Sequence, residues 1–238
     1  MTSEEGQPKL VLQERCLAVF VDDTGHEALV PGHPVYGLGG CAVLGRDIER
    51  LINQPWRELR RVVTGSPDAQ LHANKFPSIA KADDFETVAR FFRAYPFWRF
   101  GAVFTTETIL VPELSLMQTM KGVLQKRIDD IVQTTLCKEV SIIFESSDRA
   151  NGLIRETFQN FDFHRGTKLI PSECYFMPKA AGEPALEVAD FVMHAIGRQA
   201  RHNLKQRGSF VADFCAVFHA IDPIFTGFIE VGGVVHQR

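Results

Sequence analysis

Apolar residues recur along this chain in two rhythms, a near-continuous one of short runs and a helical one of longer segments. The run CLAVFVD (16–22) is stopped by Asp-Asp-Thr-Gly, the pattern of a buried strand ending in a turn. A second strand is predicted over VYGLGGCAVLG (35–45), with glycines where a neighbouring backbone comes close. DIERLINQPWRELRRVV (47–63) has helical periodicity with a break expected at Pro55. Residues 64–78 read as a loop, followed by a helix over 82–95 and a third strand over 98–106. Residues 111–136 carry apolar positions at Leu114, Met117, Val123, Leu124, Ile128, Ile131 and Val132, a helical period.

A fourth strand, EVSIIFE (139–145), leads into a helix that opens on Ser147 or Asp148 as N-cap. A weaker fifth strand, KLIPSECYFMP (168–178), precedes a long helix over 183–206 that begins near Pro184. The tail, 207–238, reads as a helix and an edge strand or as a dimer contact. Residues 1–14 form a ragged polar lead-in. Strands alternating with helices in one run, with no linker composition between halves, predict one α/β domain over 1–238.

Composition narrows the class. The chain has 238 residues, about 1.6 times the usual length per domain, long enough to bury roughly 70% of its unfolded surface. Twenty-six Lys+Arg stand against 29 Asp+Glu, a net charge of −3, which argues against a whole surface given over to polyanions but leaves room for a basic groove. The five cysteines show no CxxC spacing and sit mostly in apolar runs, so reduced thiols in the cytoplasm are expected. The polar, acidic N-terminus does not resemble a signal peptide, and no apolar run reaches the ~20 residues of a membrane helix. A soluble cytoplasmic protein is expected, with its oligomeric state open and a homodimer one reading.

The chemistry lies where acids interrupt apolar runs. Asp22 and Asp23 close the first strand, and Glu145 closes the fourth. Asp190 sits inside the apolar helical segment ALEVADFVMHAI, where an unpaired carboxylate is expensive to desolvate. Glu187 and His194, three before and four after it, share its helix face. If the strand ends meet under that helix, three or four carboxylates converge, and such a cluster repels itself without a cation. Oxygen donors suit Mg²⁺ or Mn²⁺, and two such ions about 4 Å apart can clamp the attacking and leaving oxygens of a phosphodiester. Plainer readings exist for each residue: an Asx-turn at Asp22-Asp23, a helix-start acid at Glu145, a core ion pair of Asp190 with Arg198, and a packed His194.

These segments together resemble the domain-of-unknown-function 3800 family, itself similar to the ribonuclease H-like superfamily. The resemblance is carried by Val21-Asp22-Asp23-Thr24-Gly25, the glycine-containing strand Tyr36 to Leu44, Gln70-Leu71-His72-Ala73, Ile142-Ile143-Phe144-Glu145 and Leu186-Glu187-Val188-Ala189-Asp190, in order over residues 16 to 200. It implies a ribonuclease H-like fold, a central mixed β-sheet flanked by helices, and metal-dependent hydrolysis of nucleic acid. Asp22, Glu145 and Asp190 are the implied metal ligands and catalytic acids. Glu187, Asp68 or His72 would compensate for Gln70, which stands where the family has Glu, and His72 or His194 would shuttle a proton. Lys75, Arg149 and the run Arg198, Arg201, Lys205, Arg207 are candidates for phosphate contact, with a solvated helix end as the alternative for that run. Gln70 equally suits a catalytically impaired relative that binds nucleic acid or a protein partner. A small-phosphoester hydrolase is a third reading.

Two other patterns are set aside. Gly37 to Ala42 fits the GxGxxA dinucleotide fingerprint, but a Pro-Gly-His-Pro loop precedes it and a β-like run follows, where a helix should open. The 19 phenylalanines fall in periodic apolar runs and read as core.

Overall fold

The computed structural model describes residues 10–27, 29–30, 32–107, 115–146, 151–158, 161–205, 209–218 and 226–230. Its first strand, β1 (Cys16–Gly25), turns back antiparallel into β2 (Val35–Leu44). A helical stretch follows: α1 (Gly45–Ile48), a π-helical segment (Glu49–Asn53) and α2 (Gln54–Thr64). The break expected at Pro55 does not occur. The helix widens instead: the N–H of Gln54 reaches back five residues to Glu49 O, and Pro55 falls in the first turn of α2, where its missing N–H costs little.

The 64–78 loop ends in the single turn α3 (Phe76–Ile79), before α4 (Ala82–Ala94) and β3 (Trp98–Thr105). Next comes α5 (Leu116–Thr134), where Ser115 and Gln118 form a capping box; the earlier part of that predicted helix, 111–114, lies outside the described residues. β4 (Glu139–Ser146) and α6 (Asn151–Thr157) follow, the expected caps Ser147 and Asp148 lying outside the described residues. The predicted fifth strand is divided. β5 (Phe163–Arg165) and β6 (Lys168–Ile170) form a hairpin, and Pro171 separates it from β7 (Ser172–Pro178). Then come α7 (Pro184–Lys205), α8 (Ala212–Phe218) and β8 (Thr226–Glu230).

The main sheet runs β7-β4-β1-β2-β3-β8. Its pairings are parallel except β1 with β2 and β2 with β3, so β2 alone runs against the rest. Helices cover both faces, which makes the molecule an α/β protein with a mixed central sheet. Side-chain alternation sorts the strands between two cores. Leu17, Val19, Val21, Ile142 and Phe144 pack with α5 and α6, whereas Ala18, Phe20 and Ile143 pack with α2, α4 and α7.

Three strand glycines set the depth of α7. A Cβ on Gly39 would lie 2.4 Å from Gly101 Cα and 2.9 Å from Met193 Sδ, and one on Gly37 or Gly101 would also crowd Met193. The glycines of the GxGxxA pattern therefore serve helix-to-sheet packing. On β3, next to the edge strand β8, Arg99, 1% exposed, ties α4 to α8: it donates to Val217 O at 2.7 Å, to Tyr95 O at 2.8 Å and to Phe92 O. Among the described residues no helix is long and apolar enough to cross a membrane.

Candidate active site

Strand parity places the site. Ala18 and Phe20 face α7, and two residues on Asp22 follows them at the carboxyl end of β1. Val21 is paired with Phe144 on the parallel neighbour β4, so Glu145, two residues after Ile143 and next to the last residue of its strand, lies beside Asp22 on the same side. Met177 of β7 belongs to the same core, and Lys179, the first residue after that strand, reaches Glu145 with its Nζ. The carboxyl ends of three parallel strands thus deliver Asp22, Glu145 and Lys179 to one edge, where open α/β sheets characteristically bind ligands. Asp190, on α7, comes down on this edge.

The electrostatics show that these groups sense one another. Burial raises the pKa of Asp22 well above the ordinary carboxylate range, and Asp190, Glu145 and Asp23 push in the same direction. Burial also raises Asp190, against the opposing effects of the Ala73 N–H and Lys179, with Glu145 and Asp23 adding to the rise. Lys179 answers this charge. Its Nζ lies 3.0 Å from Glu145 Oε2, and although partial burial works the other way, Glu145, Asp190 and Asp22 hold its pKa above the usual value. It is therefore an ammonium among carboxylates.

Glu187, expected among the metal ligands, is placed otherwise. Its carboxylate is buried and accepts from Arg60 Nη2 at 2.8 Å, Arg60 Nε at 3.0 Å, Trp56 Nε1 at 2.8 Å and the Leu71 N–H at 3.1 Å. That set uses both oxygens, and Arg60 supplies the countercharge. Burial still raises the Glu187 pKa, with Arg60 and Trp56 opposing. One helical turn on, Asp190 Oδ2 accepts the Ala73 N–H at 2.9 Å. His72, between those two anchored residues, senses Lys179, Glu187 and Glu145, and burial lowers its pKa, so the imidazole is neutral at pH 7.

The remaining candidates divide. Gln70 donates from Nε2 to Lys179 O at 3.2 Å, so its amide holds the backbone of the lysine. Asp68 is exposed on the turn after α2, and Lys75 is exposed beside His72. His194 lies one turn beyond Asp190 but among Asp213, Arg198 and Arg201, with its pKa lowered by burial. Arg198 pairs with Asp213, not with Asp190. Arg201 is half-buried near Thr24, Lys205 is exposed, and Arg149 and Arg207 lie outside the described residues. No sequence pattern marks Lys179, Arg60 or Trp56 as part of this site. Lys179 begins a 3-10 turn beyond the last residue of β7, where no strand or helix rhythm marks it.

A cavity of about 460 Å³ lies elsewhere, lined by Phe161, Asp162, Leu169, Ile170, Pro171, Ser172 and Cys174, and carries none of these groups. Among the described residues no group of three or more His, Cys, Asp or Glu side chains is gathered closely enough to hold a metal ion as it stands. Asp22, Glu145 and Asp190 nonetheless offer carboxylate oxygens, the donor type of a hard cation, while burial is the main reason that Asp22 and Asp190 are held above the ordinary carboxylate range. Compared with protein-family models, curated proteins and solved structures, the chain has no match.

Proposed function

We propose that the protein is a divalent-metal-dependent phosphodiesterase acting on nucleic acid, built on a ribonuclease H-like fold. The mixed sheet with helices on both faces is compatible with that fold. The observation that carries the proposal is the electrostatic linkage of Asp22, Glu145 and Asp190 at the carboxyl edge of parallel strands. Asp22, Glu145 and Asp190 would hold Mg²⁺ or Mn²⁺, which supplies Lewis-acid activation and neutralises charge on a phosphodiester.

The chain's own residues do the rest. Neutral His72, held between two anchored residues, is placed to accept a proton at a free ring nitrogen. Lys75, exposed beside it, offers a phosphate contact from solvent.

A thermal-shift titration with Mn²⁺ and EDTA on the wild type and Asp190→Asn tests the proposal. Asparagine keeps an acceptor for the Ala73 N–H but removes the charge. Wild type should gain stability with Mn²⁺, by about 2.7 kcal/mol at a hundredfold excess over Kd, and the variant should gain far less. No response in the wild type would overturn the metal-dependent reading.

The alternative is a ribonuclease H-like module that binds nucleic acid or a protein partner without catalysis. Lys179 among the carboxylates favours it, since an ammonium already offsets part of their repulsion. The same titration separates the two.

A further inference from the structure

The carboxyl-terminal half of α7 carries a guanidinium that no anion answers. Arg201 is half-buried, and among the described residues its side chain makes no hydrogen bond or ion pair. Its neighbour Arg198 is committed to Asp213 of α8 and meets Arg201 only as a like charge. A solvated helix end would leave such a guanidinium in water; here it is drawn in against the sheet. Gly197, one turn earlier on α7, makes the room. A Cβ on Gly197 would stand 2.3 Å from Thr24 Oγ1 and 3.1 Å from Arg201 Nη2, so hydroxyl and guanidinium converge over the one residue of that turn without a side chain. The Thr24 hydroxyl also has no partner among the described residues. Two donor-bearing groups with nothing to donate to, one of them a partly desolvated cation, mark a place that favours an oxyanion.

The position of this pair says which oxyanion. Thr24 follows Asp22 by two residues on β1, so both side chains face α7, about 7 Å apart along the strand. A polyanion passing over Asp22 therefore brings its next charged group toward Thr24 and Arg201. Resting on the nucleic-acid part of the reading above, we propose that Arg201 and Thr24 form a phosphate subsite that holds a backbone phosphate of the strand beside the carboxylates. The planar guanidinium donates to two phosphate oxygens and the hydroxyl to a third. Such a contact sets the register of the strand and reads no base. Arg198, held by Asp213, is no part of it.

Fluorescence anisotropy of a labelled oligothymidylate and of the matching oligouridylate tests this on the full chain, in EDTA and again with Ca²⁺ to neutralise the carboxylates. Arg201→Gln should weaken binding about tenfold and lower the salt slope by about 0.7, the loss of one phosphate contact on a single strand. Thr24→Val, which keeps the shape and removes the hydroxyl, should weaken it severalfold with the slope unchanged. Lys126→Gln, an exposed charge on α5 across the sheet, should leave both unchanged. Arg201→Gln should also melt no lower than wild type, because the guanidinium has no partner to lose. Wild-type binding that Arg201→Gln retains in full, or that Lys126→Gln weakens as much, would overturn the subsite while leaving nucleic-acid binding in place. A clear loss of stability in Arg201→Gln would overturn it as well, by making the arginine structural. No binding of either oligonucleotide by the wild type, with or without Ca²⁺, would instead overturn the nucleic-acid reading and the subsite with it.

Discussion

Asp190 and Ala73 are joined by a 2.9 Å hydrogen bond in which the helix carboxylate accepts the loop N–H. One turn earlier, Glu187 accepts the N–H of Leu71 at 3.1 Å. Two acids three residues apart on α7 thus match two N–H groups two residues apart on an extended loop, and His72 is the residue between them. The spacing of Glu187 and Asp190 therefore pins the loop as well as presenting a charge. The two carboxylates then part in role: Glu187 is neutralised internally by Arg60, and Asp190 is left facing Asp22 and Lys179.

That division predicts a stability difference. Glu187→Gln leaves the Arg60 guanidinium, with 4% of its side chain exposed, without its countercharge. Breaking a buried pair from one side costs about 3–5 kcal/mol. Urea unfolding should show a lower midpoint whose shift, multiplied by an unchanged m-value, equals that loss. The exposed pair Arg93–Glu86 is the control, and Glu86→Gln should change stability by less than about 0.5 kcal/mol. Equal small shifts in the two variants would refute the view of Glu187 as the structural anchor.

The strand glycines make a second prediction. A Cβ on Gly39 meets the β3 backbone at 2.4 Å, which cannot yield without moving the sheet, and also the Met193 side chain of α7. Gly39→Ala should cost about 3 kcal/mol by overpacking. Gly122, exposed within α5 with open space around its Cβ position, should behave oppositely, and Gly122→Ala should stabilise by about 0.5–1 kcal/mol. Thermal melts of the two variants check the contrast. Similar losses in both would show that α7 does not lie as closely on the sheet as the glycines imply.

The main strands and long helices were legible because their burial is periodic: β1 and β4 are continuous apolar runs, and α5 repeats its apolar positions every three or four residues. Asp22, Glu145 and Asp190 stood out as acids where those rhythms predict apolar side chains. What stayed hidden depends on partners far apart in the chain. Glu187 read as a ligand because nothing near it in sequence announces Arg60, which lies 127 residues away. The break expected at Pro55 failed because a proline in the first turn is harmless once a π-helical segment precedes it. Lys179 escaped notice because it lies beyond the last residue of β7, in a turn whose shape only its contacts with Gln70 and Gly182 define.

The last prediction concerns pH. Asp22, 9% exposed, has its pKa raised by burial and by Asp190, Glu145 and Asp23. A carboxyl whose folded pKa exceeds its unfolded value binds a proton more tightly in the native state. Its contribution to stability is therefore full below the unfolded pKa and is lost as pH rises through the folded one. In EDTA the wild type should lose stability from about pH 4 upward through that raised value, and Lys179 relieves the repulsion only in part. Asp22→Asn removes the ionisation, so in EDTA at pH 7 it should be more stable than wild type, on the order of 1 kcal/mol, with the gain vanishing near pH 4. Added Mn²⁺ should invert the order at pH 7, because only the wild type keeps the ligand. Denaturant titrations at pH 4 and 7, each with EDTA and with Mn²⁺, decide it. A variant less stable than wild type in EDTA at pH 7 would mean that Asp22 is satisfied by its surroundings and holds no charge in reserve for a cation.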